Sequence, residues 1–132
     1  LTPEQFRDWV APYDIQVLAA APSLVRIAHL HGEDADPELI ADYPVEVLSW
    51  SDKASAPTIP EAASHYGWVP MVGIDELTSL YWTPSEAVAH VIQARRAAGD
   101  RLIVAPNCTL HSDINPLTLV GLRRGVDVAL TH

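Results

Sequence analysis

The chain is short of cysteine, of basic residues and of long apolar runs, and each shortage closes off a class of protein. One cysteine allows no internal disulfide, so the expected compartment is a reducing one, the cytoplasm. Eight Lys and Arg stand against 17 Asp and Glu, a formal net charge of −9. That balance argues against a nucleic-acid partner, whose phosphates call for a basic surface. No apolar stretch approaches the roughly 20 residues of a membrane span, and no charged-then-apolar signal peptide opens the chain. Linkers, low-complexity tracts and short-period repeats are missing too. The chain opens on Leu1 rather than Met, which raises the expectation of a cut or processed N-terminus. What is there is a hydrophobic content of 48%, enough for a globular core, over a length of 132 residues that suits a single domain, 1–132.

Helix starts are clearly marked. A capping residue followed by proline occurs at Thr2-Pro3, Asp36-Pro37, Thr83-Pro84 and Asn115-Pro116. The side-chain oxygen accepts from an otherwise unpaired N–H, and proline sits where a missing N–H costs nothing. Thr2…Gln5 and Thr83…Glu86 add the reciprocal capping contact, and Thr58…Glu61 is a weaker version of it. Residues 3–20 read as helix with a break at Pro12. After Thr83 the helical spacing of Val88, Val91, Ile92 and Arg95 runs on to Gly99. Between the helices lie short apolar or β-branched runs at 25–30, 45–50, 69–74 and 102–106, bounded by breakers as buried parallel strands are. A helix followed by four strand–helix alternations predicts an α/β fold with a parallel sheet. Four such units are half of an eight-stranded barrel, which needs about 250 residues. A half-barrel has two open edges, so a homodimer partner or a missing N-terminal half is expected.

Two strand ends carry metal-type ligands. Val25–His31 runs into Gly32 with His29 and His31 two residues apart, and alternate strand residues point to one side. The run from Leu102 ends in Pro106-Asn107-Cys108. Two imidazoles and a thiolate make a set that zinc accepts, with a fourth position left open for chemistry. In barrels of this kind the chemistry sits at the C-terminal ends of the strands. Trp50, Asp52, Gly73 and Asp75 fall at those ends and are the substrate-binding candidates. Trp50 suits a pocket wall or plain packing. Asp75 suits a cap on the following helix better than catalysis. Asp52 and Glu33 are candidate fourth ligands or proton carriers, set against the commoner role of a solvated loop carboxylate. His65 and His90 read as surface residues, and terminal His132 carries no argument.

The pattern resembles the C-terminal half of the uroporphyrinogen decarboxylase superfamily, which includes the decarboxylase and the zinc-dependent, corrinoid-linked methyltransferases of thiols such as coenzyme M. Ile27-Ala28-His29-Leu30-His31-Gly32 resembles the family's His-x-Cys-Gly strand end, with His31 where the methyltransferases carry cysteine. Val47-Leu48-Ser49-Trp50-Ser51-Asp52-Lys53 is similar to an Asn-Trp-His-Asp-Arg segment. Val72-Gly73-Ile74-Asp75 is similar to Gly-Gly-Ile-Asp. Ala105-Pro106-Asn107-Cys108-Thr109-Leu110, followed by Asn115-Pro116, resembles the closing Pro-Gly-Cys segment and the helix after it.

The resemblance implies an α/β fold, the C-terminal half of a TIM-type (β/α)8 barrel. It implies zinc on His29, His31 and Cys108, and an enzyme that activates a small-molecule thiol for methyl transfer from a corrinoid protein. With one thiolate and two neutral imidazoles, the ion keeps more Lewis acidity than a two-thiolate site leaves it. Decarboxylation of a tetrapyrrole is the second expectation. The decarboxylases carry their key aspartate and arginines in the N-terminal half, and a histidine where this chain has Asn107-Cys108, with His111 out of register. Arg26, Lys53 and Arg101 are the nearby cations for such a polyanionic substrate. A non-catalytic half-barrel that keeps a ligand site is the third.

Overall fold

The computed structural model describes residues 1–129; His132 lies outside them. The order is α1 (Pro3–Trp9), α2 (Ala11–Ala19), β1 (Ile27–His29), a 3₁₀ turn (Pro37–Ile40), β2 (Val47–Ser49), α3 (Ile59–Ser64), β3 (Val69–Ile74), a 3₁₀ turn (Ser79–Tyr81), α4 (Pro84–Ala98), β4 (Ile103–Pro106) and α5 (Pro116–Ala129). The four strands form one all-parallel sheet in sequence order, β1-β2-β3-β4.

The capping chemistry sets the helix starts. Thr2, Thr58 and Thr83 each make the complete reciprocal cap, so the Thr58 cap is as full as the other two. Asn115 accepts from Leu117 N at 2.9 Å ahead of α5. Asp36-Pro37 opens only a 3₁₀ turn where a helix is expected. The break in the N-terminal helix falls at Val10 rather than Pro12. Proline is tolerated in a first helical turn, and Pro12 takes that place in α2.

Three strands are shorter than the apolar runs that announce them, because flanking residues such as Val25 and Val45 lie outside the ladder. The expectation that β1 and β4 are buried fails. They are the two edges of the sheet, where Ile27 is 51% and Ile103 is 41% exposed, while Leu48 and Val72 on the inner strands are fully buried.

One face of the sheet builds the core. Leu48, Trp50 and Val72 pack with Ile59 and Ala62 of α3 and Ala94 of α4, and Ala28 of β1 and Leu30 just past it lean on the same cluster. A second cluster joins Ile74, Trp82, Ala87, Val91 and Leu122. Helices α4 and α5 approach closely because glycine faces the contact. A Cβ on Gly125 would lie 2.8 Å from Val91 Cβ, and one on Gly121 would lie 2.5 Å from the Pro84 carbonyl oxygen. His90, expected on the surface, is half-buried and stacks on Trp82 with ring centroids 3.8 Å apart. No described helix is long and apolar enough to cross a membrane.

Strand register places the opposite face. His29 pairs with Ser49, and Gly73 with Ala105. Alternation then puts Ile27, His29, Val47, Ser49, Ile103 and Ala105 together on the side away from the core.

Candidate metal centre

Three side chains meet at the C-terminal rim of the sheet. The ligand atoms of His29, His31 and Cys108 all lie within 4.8 Å of one another, and all three residues are exposed. Cys108 Sγ is 3.6 Å from His31 Nδ1. The two imidazole rings are 6.1 Å apart, tilted at 46°. His29 closes β1, His31 follows one residue beyond Leu30, and Cys108 stands two residues past the end of β4.

These residues come from opposite edges of the sheet. Three strand spacings would hold β1 and β4 about 14 Å apart in a flat sheet. Just past the ends of those strands His31 and Cys108 meet at 3.6 Å, so the sheet and its rim curl inward and these side chains project across the hollow. Neighbouring corners of a zinc tetrahedron, with Zn–N about 2.0–2.1 Å and Zn–S about 2.3 Å, lie about 3.5 Å apart. The sulfur–nitrogen separation already has that span. Two nitrogens and one sulfur fit zinc, and three ligands leave a coordination position open.

The surroundings orient this set. Ser49 Oγ is 3.2 Å from His29 Nδ1 and donates to the backbone carbonyl of Asn107 at 3.4 Å. Asn107 is fully buried, its N–H donates to the Ile74 carbonyl at 3.0 Å, and its Oδ1 accepts from Gly73 N at 3.4 Å. Cys108 therefore stands on a backbone tied to β3. His29 also borders a cavity of about 390 Å³ between α2 and β1, lined by Phe6, Val17, Leu18, Ile40 and Tyr43. There the Tyr43 hydroxyl donates to Asp14 at 2.8 Å. Burial, and then that bond, push its pKa well above the ordinary tyrosine value.

The other expected site residues have scaffold work at the same rim. Trp50 is fully buried in the core and its indole N–H donates to the Pro57 carbonyl at 2.8 Å, which is packing rather than a pocket wall. Gly73 has φ +107°, and a Cβ there would come within 2.8 Å of Ala94 Cβ, so glycine is needed for backbone shape and for the approach of α4. Asp75 closes its own turn, accepting from Leu77 N at 2.9 Å and Thr78 Oγ1 at 2.7 Å. Asp52 is an ion-pair partner of Lys53 at 3.0 Å, with its carboxylate only 2% exposed and Oδ1 unpaired. Neither Asp52 nor Glu33 joins the His–His–Cys group. Asn107 Nδ2 is a second buried polar atom at this rim without a partner.

Arg26 and Arg101 precede β1 and β4, so they lie at the opposite rim. Arg26 is held there by Glu46 and Arg101 donates to the Gly67 carbonyl at 3.3 Å. Ser49 and Asn107 escaped the sequence reading. Their one signal is a small polar residue set among strand-forming apolar ones, which is weak without the register that brings Ser49 beside His29. No protein-family model matches this chain, and none of the curated proteins matches it either.

Proposed function

We propose that this chain is the metal-bearing half of a (β/α)8-type barrel, related to the thiol methyltransferases of the uroporphyrinogen decarboxylase superfamily. One observation carries the reading: His29, His31 and Cys108, from opposite edges of the sheet, present their ligand atoms within 4.8 Å of one another. Zinc held there would supply a Lewis acid that lowers the pKa of an incoming thiol. The chain's own part is positional. His29 and His31 would hold the ion through nitrogen and Cys108 through sulfur. The rim would orient the thiol sulfur toward a methyl group delivered by a corrinoid protein.

The decarboxylase reading gains no support from the geometry. Two of its three candidate cations stand at the far rim, and Lys53 is engaged by Asp52. The cytoplasm remains the compartment this reading favours, since a free thiol beside two imidazoles suits reducing conditions.

The test combines metal analysis with turnover. Purified protein is expected to hold about one zinc per chain, lost in Cys108→Ser. Zinc-loaded protein, given methylcobalamin and a panel of small thiols, is expected to form a thioether as the methyl–cobalt absorbance decays. Folded protein that takes up no zinc would overturn the metal assignment. Zinc-loaded protein that leaves every thiol unmethylated, even with the other barrel half supplied, would leave a binding site and overturn the enzyme.

A further inference from the structure

Ser49 stands between the two ligand-bearing edges, and its hydrogen bonds determine more than its position. Its hydroxyl has a single proton. One neighbour, the backbone carbonyl of Asn107 at 3.4 Å, is able only to accept. The other, His29 Nδ1 at 3.2 Å, donates or accepts according to the tautomer. Both contacts are satisfied in one arrangement alone: His29 Nδ1–H donates to Ser49 Oγ, and Ser49 Oγ–H donates to the Asn107 carbonyl.

We infer that Ser49 is the positioning residue of this site, holding His29 in the Nδ1–H tautomer so that Nε2 is the bare nitrogen offered to the cluster. The relay rests on hydrogen-bond geometry, and only its effect on metal rests on the zinc reading. Several features favour the assignment. Ser49 is buried, at 7% exposure, so water competes poorly for the hydroxyl. It is the register partner of His29 on β2, which places the two side chains on the same face. Its acceptor is the carbonyl next to Cys108, so one hydroxyl couples the histidine strand to the cysteine strand. In water the Nε2–H tautomer is the commoner form, and it would leave no bare nitrogen on His29 beyond the one that faces Ser49. A metal-ligating histidine characteristically donates its other N–H to such an oxygen, which fixes both tautomer and ring orientation.

The test reads the tautomer directly. In zinc-free protein at about pH 8, above the ordinary histidine pKa of about 6.5, the imidazole ¹⁵N shifts of His29 are measured for the native chain, Ser49→Ala and Ser49→Thr. Zinc affinity is measured in parallel by chelator competition. The expected result is a protonated Nδ1 and a bare Nε2 in the native chain and in Ser49→Thr. Ser49→Ala is expected to move toward Nε2–H and to lose about 10- to 100-fold in zinc affinity. A native His29 protonated on Nε2, or a tautomer unmoved by Ser49→Ala, overturns the relay. The expected tautomers with no zinc uptake by any chain uphold the relay and overturn the function proposed above.

Discussion

The two inner strands and the two outer strands carry different kinds of residue. Strand β2 is buried throughout and β3 nearly so, whereas β1 and β4 are largely open. Every unusual residue at the end of an inner strand is engaged by the scaffold. Trp50 fills the core, Gly73 makes room for α4, and Asp75 closes a turn. The unusual residues at the ends of the outer strands have no such duty. His29, His31 and Cys108 support no core, yet they converge. Burial explains a tryptophan or a glycine well, but it does not account for an exposed meeting of two imidazoles and a thiol.

This contrast is broken or sharpened by substitution. The largest effect is expected at Trp50. Trp50→Ala removes a fully buried side chain and its indole hydrogen bond, and should cost about 3–5 kcal/mol in urea unfolding. A loss close to zero would take Trp50 out of the scaffold and return it to the pocket wall. Gly73→Ala comes next. The added methyl meets Ala94 Cβ at 2.8 Å on a backbone of positive φ, and about 1–3 kcal/mol of destabilisation should follow.

At the outer rim the expectation is reversed. His31→Ala and Cys108→Ser, compared without metal, should leave stability within about 0.5 kcal/mol of the native chain. With zinc present, the native chain alone should gain thermal stability, because a ligand that binds only the folded state shifts the equilibrium toward it. Equal gains in the native and Cys108→Ser chains would remove the thiol from the site.

The smallest effect is expected at the rim opposite the His–His–Cys cluster. The side-chain hydrogen bond from Arg26, joined by one from its backbone N–H, holds the Glu46 carboxylate down at about 2, from an ordinary value of 4.5. A carboxylate with a depressed folded-state pKa lends stability that is complete above its unfolded value. That contribution should therefore be intact above pH 4.5 and fade as the pH falls toward 2. Melting temperatures of the native chain and Glu46→Gln should differ above this window and converge through it. The exposed setting keeps the difference small, and a constant offset down to the lowest pH would deny the pairing.

Much of the fold was legible in the sequence because its signals are local. Thr2, Thr83 and Asn115 with their prolines mark helix starts by chemistry confined to a few residues. The four apolar runs locate the four strands, and their alternation with helices gives the parallel sheet. Which strands lie at the edges is a property of the whole sheet, and hydrophobicity cannot express it. Ile27 and Ile103 read like Leu48 and Val72 until the strand order is known. The candidate site divides in the same way. His29 and His31 are legible as a pair because two residues of one strand share a side. The link from His31 to Cys108 crosses 77 residues and depends on the curl of the sheet. The role of Ser49 depends on register, which a single apolar run does not encode.

X-ray absorption at the zinc edge, on protein loaded with one equivalent of zinc, tests the central claim most directly. Convergence of the two outer strands on one ion predicts two imidazole nitrogens at about 2.0–2.1 Å and one sulfur at about 2.3 Å, the sulfur vanishing in Cys108→Ser. A shell of light atoms alone in the native chain would contradict it, and would leave the curled sheet without the metal centre.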